Sequence, residues 1–451
     1  LGNTYHINFR FFCYRLDRIV LLVCGAVGLV LAYSGPDLPP GPYCGITKLC
    51  CKDREDGCSH RILDSKCYCD EFCNRTAGHD DCCPDYPEVC LGIKPEPSPL
   101  PAIKLCRYRG EFYQIGETVT QDCHTCECVR PSGGGDEYWK CDHDPCLISD
   151  EVLRNVRQAG LGWRAANYTQ FQGKKLKDGL IYKLGTLPLN RETARLGPIN
   201  IDKDIQYPRE FDARSHWRNY ISPIVDQGWC GSDWAVSLAT IVSDRFAIQS
   251  NGAEKVILSP QTLLSCNLRQ QQGCHGGNID TAWIQVLTKP GQGKLVDEDC
   301  FPYTAKITKC PFKKRGNLLT DRCIPVVPQR TSRYKVGPPG RLIKEHDVMF
   351  DIMQSGPVQA IMTVYQDFFH YQDGIYRRSQ FGNNELKGLH SVRIVGWGEE
   401  NGDRYWIVAN SWGTQWGEDG YFRIARGENE SGIESFVVTV LSDVTEAYLR
   451  K

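Results

Sequence analysis

Three stretches of the chain carry hydrophobic patterns that read as three different kinds of element. From Ile19 to Ser34 the run IVLLVCGAVGLVLAYS is apolar almost throughout and follows Arg10, Arg15 and Arg18. It falls short of the roughly 20 apolar residues that a spanning helix needs. Ala32 and Ser34 are small residues placed like a signal-peptidase site, so the run predicts a cleaved signal peptide, with a type II membrane anchor as the alternative. From Cys106 the phrase CRYRGEFYQIGETV alternates apolar and polar side chains and predicts a short hairpin. In SDEVLRNVRQAG, Val152, Leu153, Val156 and Ala159 recur near helical spacing. Ser149 is placed as its N-cap, with Asp150 and Glu151 in the first turn, where the helix dipole favours negative charge. GPDLPPGP before Tyr43 and LGIKPEPSPLP after Cys90 are proline-rich linkers, too poor in apolar residues to start a core.

Composition sharpens this picture. At 451 residues the chain is too long for one core, so several units are expected. With 53 basic against 54 acidic side chains, bulk charge argues against a nucleic-acid or polybasic membrane partner. Of its 24 cysteines, 16 lie between Cys44 and Cys146, a density that predicts disulfide-stapled modules and an oxidising, secretory compartment. Sequons at Asn74, Asn167 and Asn429 fit a glycosylated secretory product.

The first cysteine module, 44–90, contains CYCDEFCNRTAGHDDCCPDYPEVC and resembles a somatomedin B-like unit, although its ten cysteines exceed the usual eight. A zinc cage of thiolates is the alternative, disfavoured by vicinal Cys-Cys pairs and the secretory context. The second, 106–146, carries CRYRGEFYQIGETV, CHTCEC and YWKC and resembles a von Willebrand factor C-type unit. The stretch 147–206 has no cysteine, and SDEVLRNVRQAGLGWRAANY looks like a cathepsin B-type propeptide, which in that family runs across the active-site cleft until it is removed.

Residues 207–451 resemble the cathepsin B branch of the papain family almost end to end. PREFDARSHW, VDQGWCGSDWAVS, SCNLRQQQGCHGG, LHSVRIVGWG, YWIVANSWGTQWGEDGYFRI and GIES follow in the family order. The resemblance implies an α+β, papain-like fold of two lobes, one helical and one resembling a β-barrel, preceded by small disulfide-rich modules. Carried over residue by residue, His390 matches the general base, Asn410 the residue that orients its ring, and Gln227 the oxyanion glutamine. Asp233 stands where the family has its nucleophilic cysteine.

That substitution sets the expected function. A carboxylate is a weak nucleophile toward an amide, and losing a covalent nucleophile can remove about a millionfold of rate. An inactive peptidase homologue is therefore expected, with no cofactor. Water activation by Asp233 and His390 is the enzymatic alternative, weakened because aspartyl chemistry normally uses two carboxylates. At a helix start, Asp233 is instead expected to pair with His390 and imitate the thiolate and imidazolium pair.

By the family register, Cys230 is expected to bridge Cys274, Cys266 to bridge Cys310, and Cys300 to bridge Cys323. Gly276 and Gly277 match the glycines that line the peptide groove, and Trp412 the tryptophan over the histidine and asparagine pair. The stretch matching the occluding loop has no histidine, so carboxydipeptidase specialisation is not expected; its basic run Lys313, Lys314 and Arg315 reads as a solvated loop or a patch for acidic glycans.

The module order, with a degenerate cathepsin B-like domain, resembles the tubulointerstitial nephritis antigen family, whose members carry Ser at the nucleophile position. The resemblance implies a secreted matrix glycoprotein that contacts laminin, collagen IV or cell-surface receptors. A carrier that holds a segment of a secreted, possibly lipid-modified, signalling protein in the groove is the alternative.

Overall fold

A computed structural model describes residues 42–62, 65–73, 81–93, 105–133, 135–189, 196–199, 201, 205–266, 271–288, 295–311, 334–382 and 386–445. They fall into two compact units, divided between Ile103 and Lys104. Asn74, Cys323, the basic run Lys313–Arg315 and the apolar run 19–34 lie outside the described residues. Among the described residues no helix is long and apolar enough to cross a membrane.

The first unit is held by cysteine where a larger domain would use a core. Its ten described cysteines, from Cys44 to Cys90, pair among themselves, as Cys44–Cys69, Cys50–Cys90, Cys51–Cys58, Cys67–Cys83 and Cys73–Cys82. They surround a hairpin of Ser59–Ile62 and Ser65–Tyr68. Two aspartates organise the loops: Asp85 accepts from the amides of Cys44 and Gly45, and Asp70 from those of Glu55, Phe72 and Cys73. The sulfurs of Cys44, Cys69 and Cys83 approach one another, but each cysteine is oxidised and offers no thiolate to a metal.

The second unit opens with the expected hairpin, Cys106–Tyr108 against Glu111–Tyr113. Arg109 and Gly110 both take positive φ, 49° and 93°, which matches the twist of a two-residue turn. A three-stranded sheet follows, and Cys106–Cys128, Cys123–Cys146 and Cys126–Cys141 close the module. The helix Asp150–Ala159 forms as its spacing predicts. Ser149 Oγ accepts from the amide of Val152, and Gly160 closes the helix at φ 62°. Val152 and Val156 are buried, whereas Ala159, expected on the same face, is exposed where the chain turns away at Gly160.

Residues 207–445 form two lobes. In one, the helix Asp233–Gln249 is buried from Asp233 to Ala247, so it needs no polar face and packs with Leu263, Leu264 and Trp283. In the other, a ten-stranded sheet centres on Gly388–Glu400, paired with Val358–Val364 on one side and Asp403–Ala409 on the other. The two outermost strands come from the propeptide-like stretch. Trp163–Ala165 pairs with Tyr371–Tyr376 at one edge, and Pro198–Ile199 with Gly340–Leu342 at the opposite edge.

Candidate functional site

The helix Asp233–Gln249 starts in a tight loop that the Cys230–Cys274 disulfide fixes, with the Gly231 amide donating to the Cys274 carbonyl at 2.7 Å. This puts Asp233 in the first helical turn, fully buried, where unpaired amides favour an anion. His390 arrives on the strand Gly388–Glu400 and Asn410 directly after the strand Asp403–Ala409. His390 Nε2 donates to Asn410 Oδ1 at 2.7 Å, and the Trp412 ring lies 5.1 Å from the imidazole. Nδ1 therefore faces Asp233, 3.2 Å from Oδ2, but off the line of a hydrogen bond; it makes none. The expected pair is present as proximity without that bond.

Asp233 spends its lone pairs elsewhere. Oδ1 accepts from the Gly185 amide at 2.6 Å; Oδ2 accepts from Thr186 Oγ1 at 2.6 Å and from the Ser391 amide at 2.8 Å. Because Thr186 gives its proton to the carboxylate, the Ser391 hydroxyl, 2.7 Å away, donates to Thr186. Gln227 is equally engaged. Its oxygen accepts from Ser411 Oγ at 2.6 Å, and its amide nitrogen donates to the Cys230 carbonyl at 2.9 Å, with 3.4 Å contacts to the carbonyls of Tyr182 and Lys183.

The groove exists, and it is filled by the chain itself. Thr186 forms a parallel bridge with Gly277: the Gly277 amide donates to the Gly185 carbonyl at 2.8 Å and the Leu187 amide to the Gly277 carbonyl at 3.0 Å. Gly276 has φ 121°, and a Cβ there would lie 2.7 Å from the Gly185 carbonyl oxygen; one on Gly277 would strike Trp234 at 2.4 Å. The occupant is as tightly specified, since a Cβ on Gly185 would lie 1.9 Å from the Gly231 carbonyl oxygen. Lys183 is buried, its ammonium over the rings of Phe171 and Trp229 and 3.8 Å from Asp226, and burial draws its pKa down to about 8.

Asp233, His390, Asn410, Gln227, Gly276, Gly277 and Trp412 thus come together around one cleft. Cys266–Cys310 forms, and Cys300 is disulfide-bonded, although Cys323 is outside the described residues. Asn167 and Asn429 lie on the surface away from the cleft. The amide of Asn167 donates to Asp150 Oδ1, and that of Asn429 to Ser435 Oγ. Sequence reasoning missed Gly185 and Thr186 as site residues. The one available signal was a glycine in the short run KLGTL, between Leu184 and Leu187, a mark of close backbone approach.

A model of the papain family cysteine protease matches residues 207–441, slightly over half of the chain. "Tubulointerstitial nephritis antigen-like" of Mus musculus is 38% identical over 425 residues, covering 89% of this chain and 88% of the relative. The chain belongs to the tubulointerstitial nephritis antigen family. "Tubulointerstitial nephritis antigen" of Homo sapiens is 38% identical over 430 residues, covering 88% of this chain and 87% of the relative. "Cathepsin B-like cysteine proteinase 4" of Caenorhabditis elegans is 39% identical over 261 residues, covering 51% of this chain and 74% of that protein. Among solved structures, proCathepsin B S9 from Trypanosoma congolense superposes with a TM-score of 0.55 at 29% identity, covering 66% of this chain and 99% of that one. For this member of the tubulointerstitial nephritis antigen family, the papain-like two-lobed fold with disulfide-rich modules before it is thereby established.

Proposed function

We propose that this chain is a secreted, proteolytically inert member of its family that acts as a binding glycoprotein of the extracellular matrix or cell surface. The observation that carries the reading is the buried carboxylate of Asp233 at the nucleophile position, with three donors on its oxygens. Attack on an amide needs a lone pair free and aimed at the carbonyl carbon; here three of about four lone-pair sites accept hydrogen bonds, the Gly185 backbone lies against the carboxylate, and the group is the weaker nucleophile to begin with. Binding is then assigned to the outer surfaces, with laminin, collagen IV or a cell-surface receptor as partners of the kind the family suggests.

The carrier reading requires a groove with room for a foreign segment. Lys183–Leu187 already lies there, which favours the adhesive reading. The test has two arms. Purified protein is expected to leave fluorogenic peptides uncut and to take up no epoxide or other thiol-directed inhibitor, while binding immobilised laminin or collagen IV. Turnover that vanishes in Asp233→Ala would overturn inertness; failure to bind any matrix component, with a soluble secreted ligand co-purifying instead, would transfer the function to the carrier.

A further inference from the structure

We propose that the segment 147–199 is a permanent, non-covalent joint of this protein, and that Asp233 has become the binding site that locks it into the cleft. The proposal rests on the inert reading above, since a site that must cut peptides cannot keep its own strand bound.

The ligand of this site is a strand of stated chemistry: a lysine, one residue between, a glycine, then a hydroxyl-bearing residue. Lys183 fills the aromatic and acidic pocket of Phe171, Trp229 and Asp226. Gly185 presents its amide to Asp233 at a place where no side chain fits. Thr186 gives its hydroxyl to the same carboxylate and receives that of Ser391. A carboxylate suits this task better than a thiolate, because it offers several strong oxygen acceptors, whereas sulfur accepts weakly. In a fully buried site, bonds to a charged acceptor are strong, and stripping them leaves that charge unpaired.

The rest of the segment is built in to the same degree. Leu147, Val156, Trp163, Phe171, Leu176 and Leu184 are buried in the core of the sheet lobe, and Leu196 in the core of the helical lobe. The second cysteine module is fastened to the segment, with Lys175 bonded to Asp142, Lys177 to Asp144 at 2.5 Å, and the Leu176 amide to the Pro145 carbonyl at 2.8 Å. Among the described residues no disulfide connects the chain before 190 with the chain after 205. Among the described residues, a cut between the two would therefore leave only non-covalent contacts between the second cysteine module with its segment and the peptidase-like domain.

The experiment places a recognition sequence for a site-specific endopeptidase in 190–195 of the full-length protein, cleaves it, and follows the two fragments by gel filtration. The fragments are expected to co-elute at neutral pH and to part only in denaturant. Asp233→Ala and, from the segment's side, Thr186→Val should speed their separation by roughly ten- to a hundredfold, the worth of one or two hydrogen bonds to a charged group. In the uncut protein the amide of Gly185 should exchange far more slowly than in either variant, a readout that needs no cleavage. Prompt separation of the cut wild-type fragments, or exchange at Gly185 that neither variant changes, would overturn the joint. A peptidase assay on the same samples keeps the two ideas apart: release without turnover sinks the joint alone, and release with turnover sinks inertness as well.

Discussion

Asp233 and the sulfur it stands in for differ in where their lone pairs go. A thiolate opposite His390 would accept poorly from the Gly185 amide and the Thr186 hydroxyl, yet the surrounding frame of helix start, His390, Asn410 and Trp412 is in place. Asp233→Cys should therefore restore a reactive thiol once the segment is removed. Its alkylation rate against pH is expected to report a pKa well below the about 8.5 of a free cysteine, because the helix start and His390 both favour the anion. In the uncut variant the same thiol should alkylate slowly, screened by Gly185 and Thr186. An ordinary pKa in the segment-free protein would mean the frame no longer supports an anion. The residues of this frame were legible in the sequence because each sits in a motif of its own, Gln227 in DQGWCGS, Asn410 and Trp412 in ANSWG. Gly185 and Thr186 were not, because their roles come from pairing with residues 48 and 205 positions away.

Among elements, the helix Asp150–Ala159 shows how much a local pattern can carry and where it stops. Spacing and the Ser149 cap were enough to place it; its attachment was not in the pattern. That attachment is His370, fully buried, whose Nε2 accepts from the Ser149 amide at 3.1 Å and whose Nδ1 donates to Asn167 Oδ1 at 3.1 Å. Burial lowers the His370 pKa to about 4, with the Asp150 charge opposing the shift. A histidine kept neutral in the folded state costs nothing above its unfolded pKa of about 6.5. As pH falls below that value the unfolded chain takes up a proton and the folded one does not, so up to about 3 kcal/mol is lost by pH 4. Asp367 acts in the opposite sense, since burial raises its pKa to about 6 and the folded state gains a proton first. The histidine's share is thus a difference: melting temperature from pH 7 to 4 should fall more for wild type than for His370→Gln, and parallel curves would refute the assignment. The edge strands Trp163–Ala165 and Pro198–Ile199 were illegible for the same reason as the attachment. At two or three residues they have no period of their own and are defined by partners far along the chain.

At the scale of the whole molecule, cysteine density marked the stretch 44–146 as stapled, because small units with little core must be cross-linked, whereas the compact units divide between Ile103 and Lys104, inside that stretch. The ten cysteines from Cys44 to Cys90 are all oxidised and pair among themselves. Mild reduction should unfold residues 44–146, each lost bridge costing about 2–5 kcal/mol, while EDTA leaves them folded. Limited proteolysis would reveal the difference, and cleavage in EDTA alone would point to metal. The ten-stranded sheet depends on the propeptide-like stretch for both of its margins. Its two rims are finished by Trp163–Ala165 and Pro198–Ile199, both from one segment. Were that segment lost, Tyr371–Tyr376 and Gly340–Leu342 would become the borders, presenting rows of unpaired amides and carbonyls to any neighbouring chain. The stretch that fills the cleft is thus also a hem sewn along both margins of a fabric that would otherwise catch on its own kind.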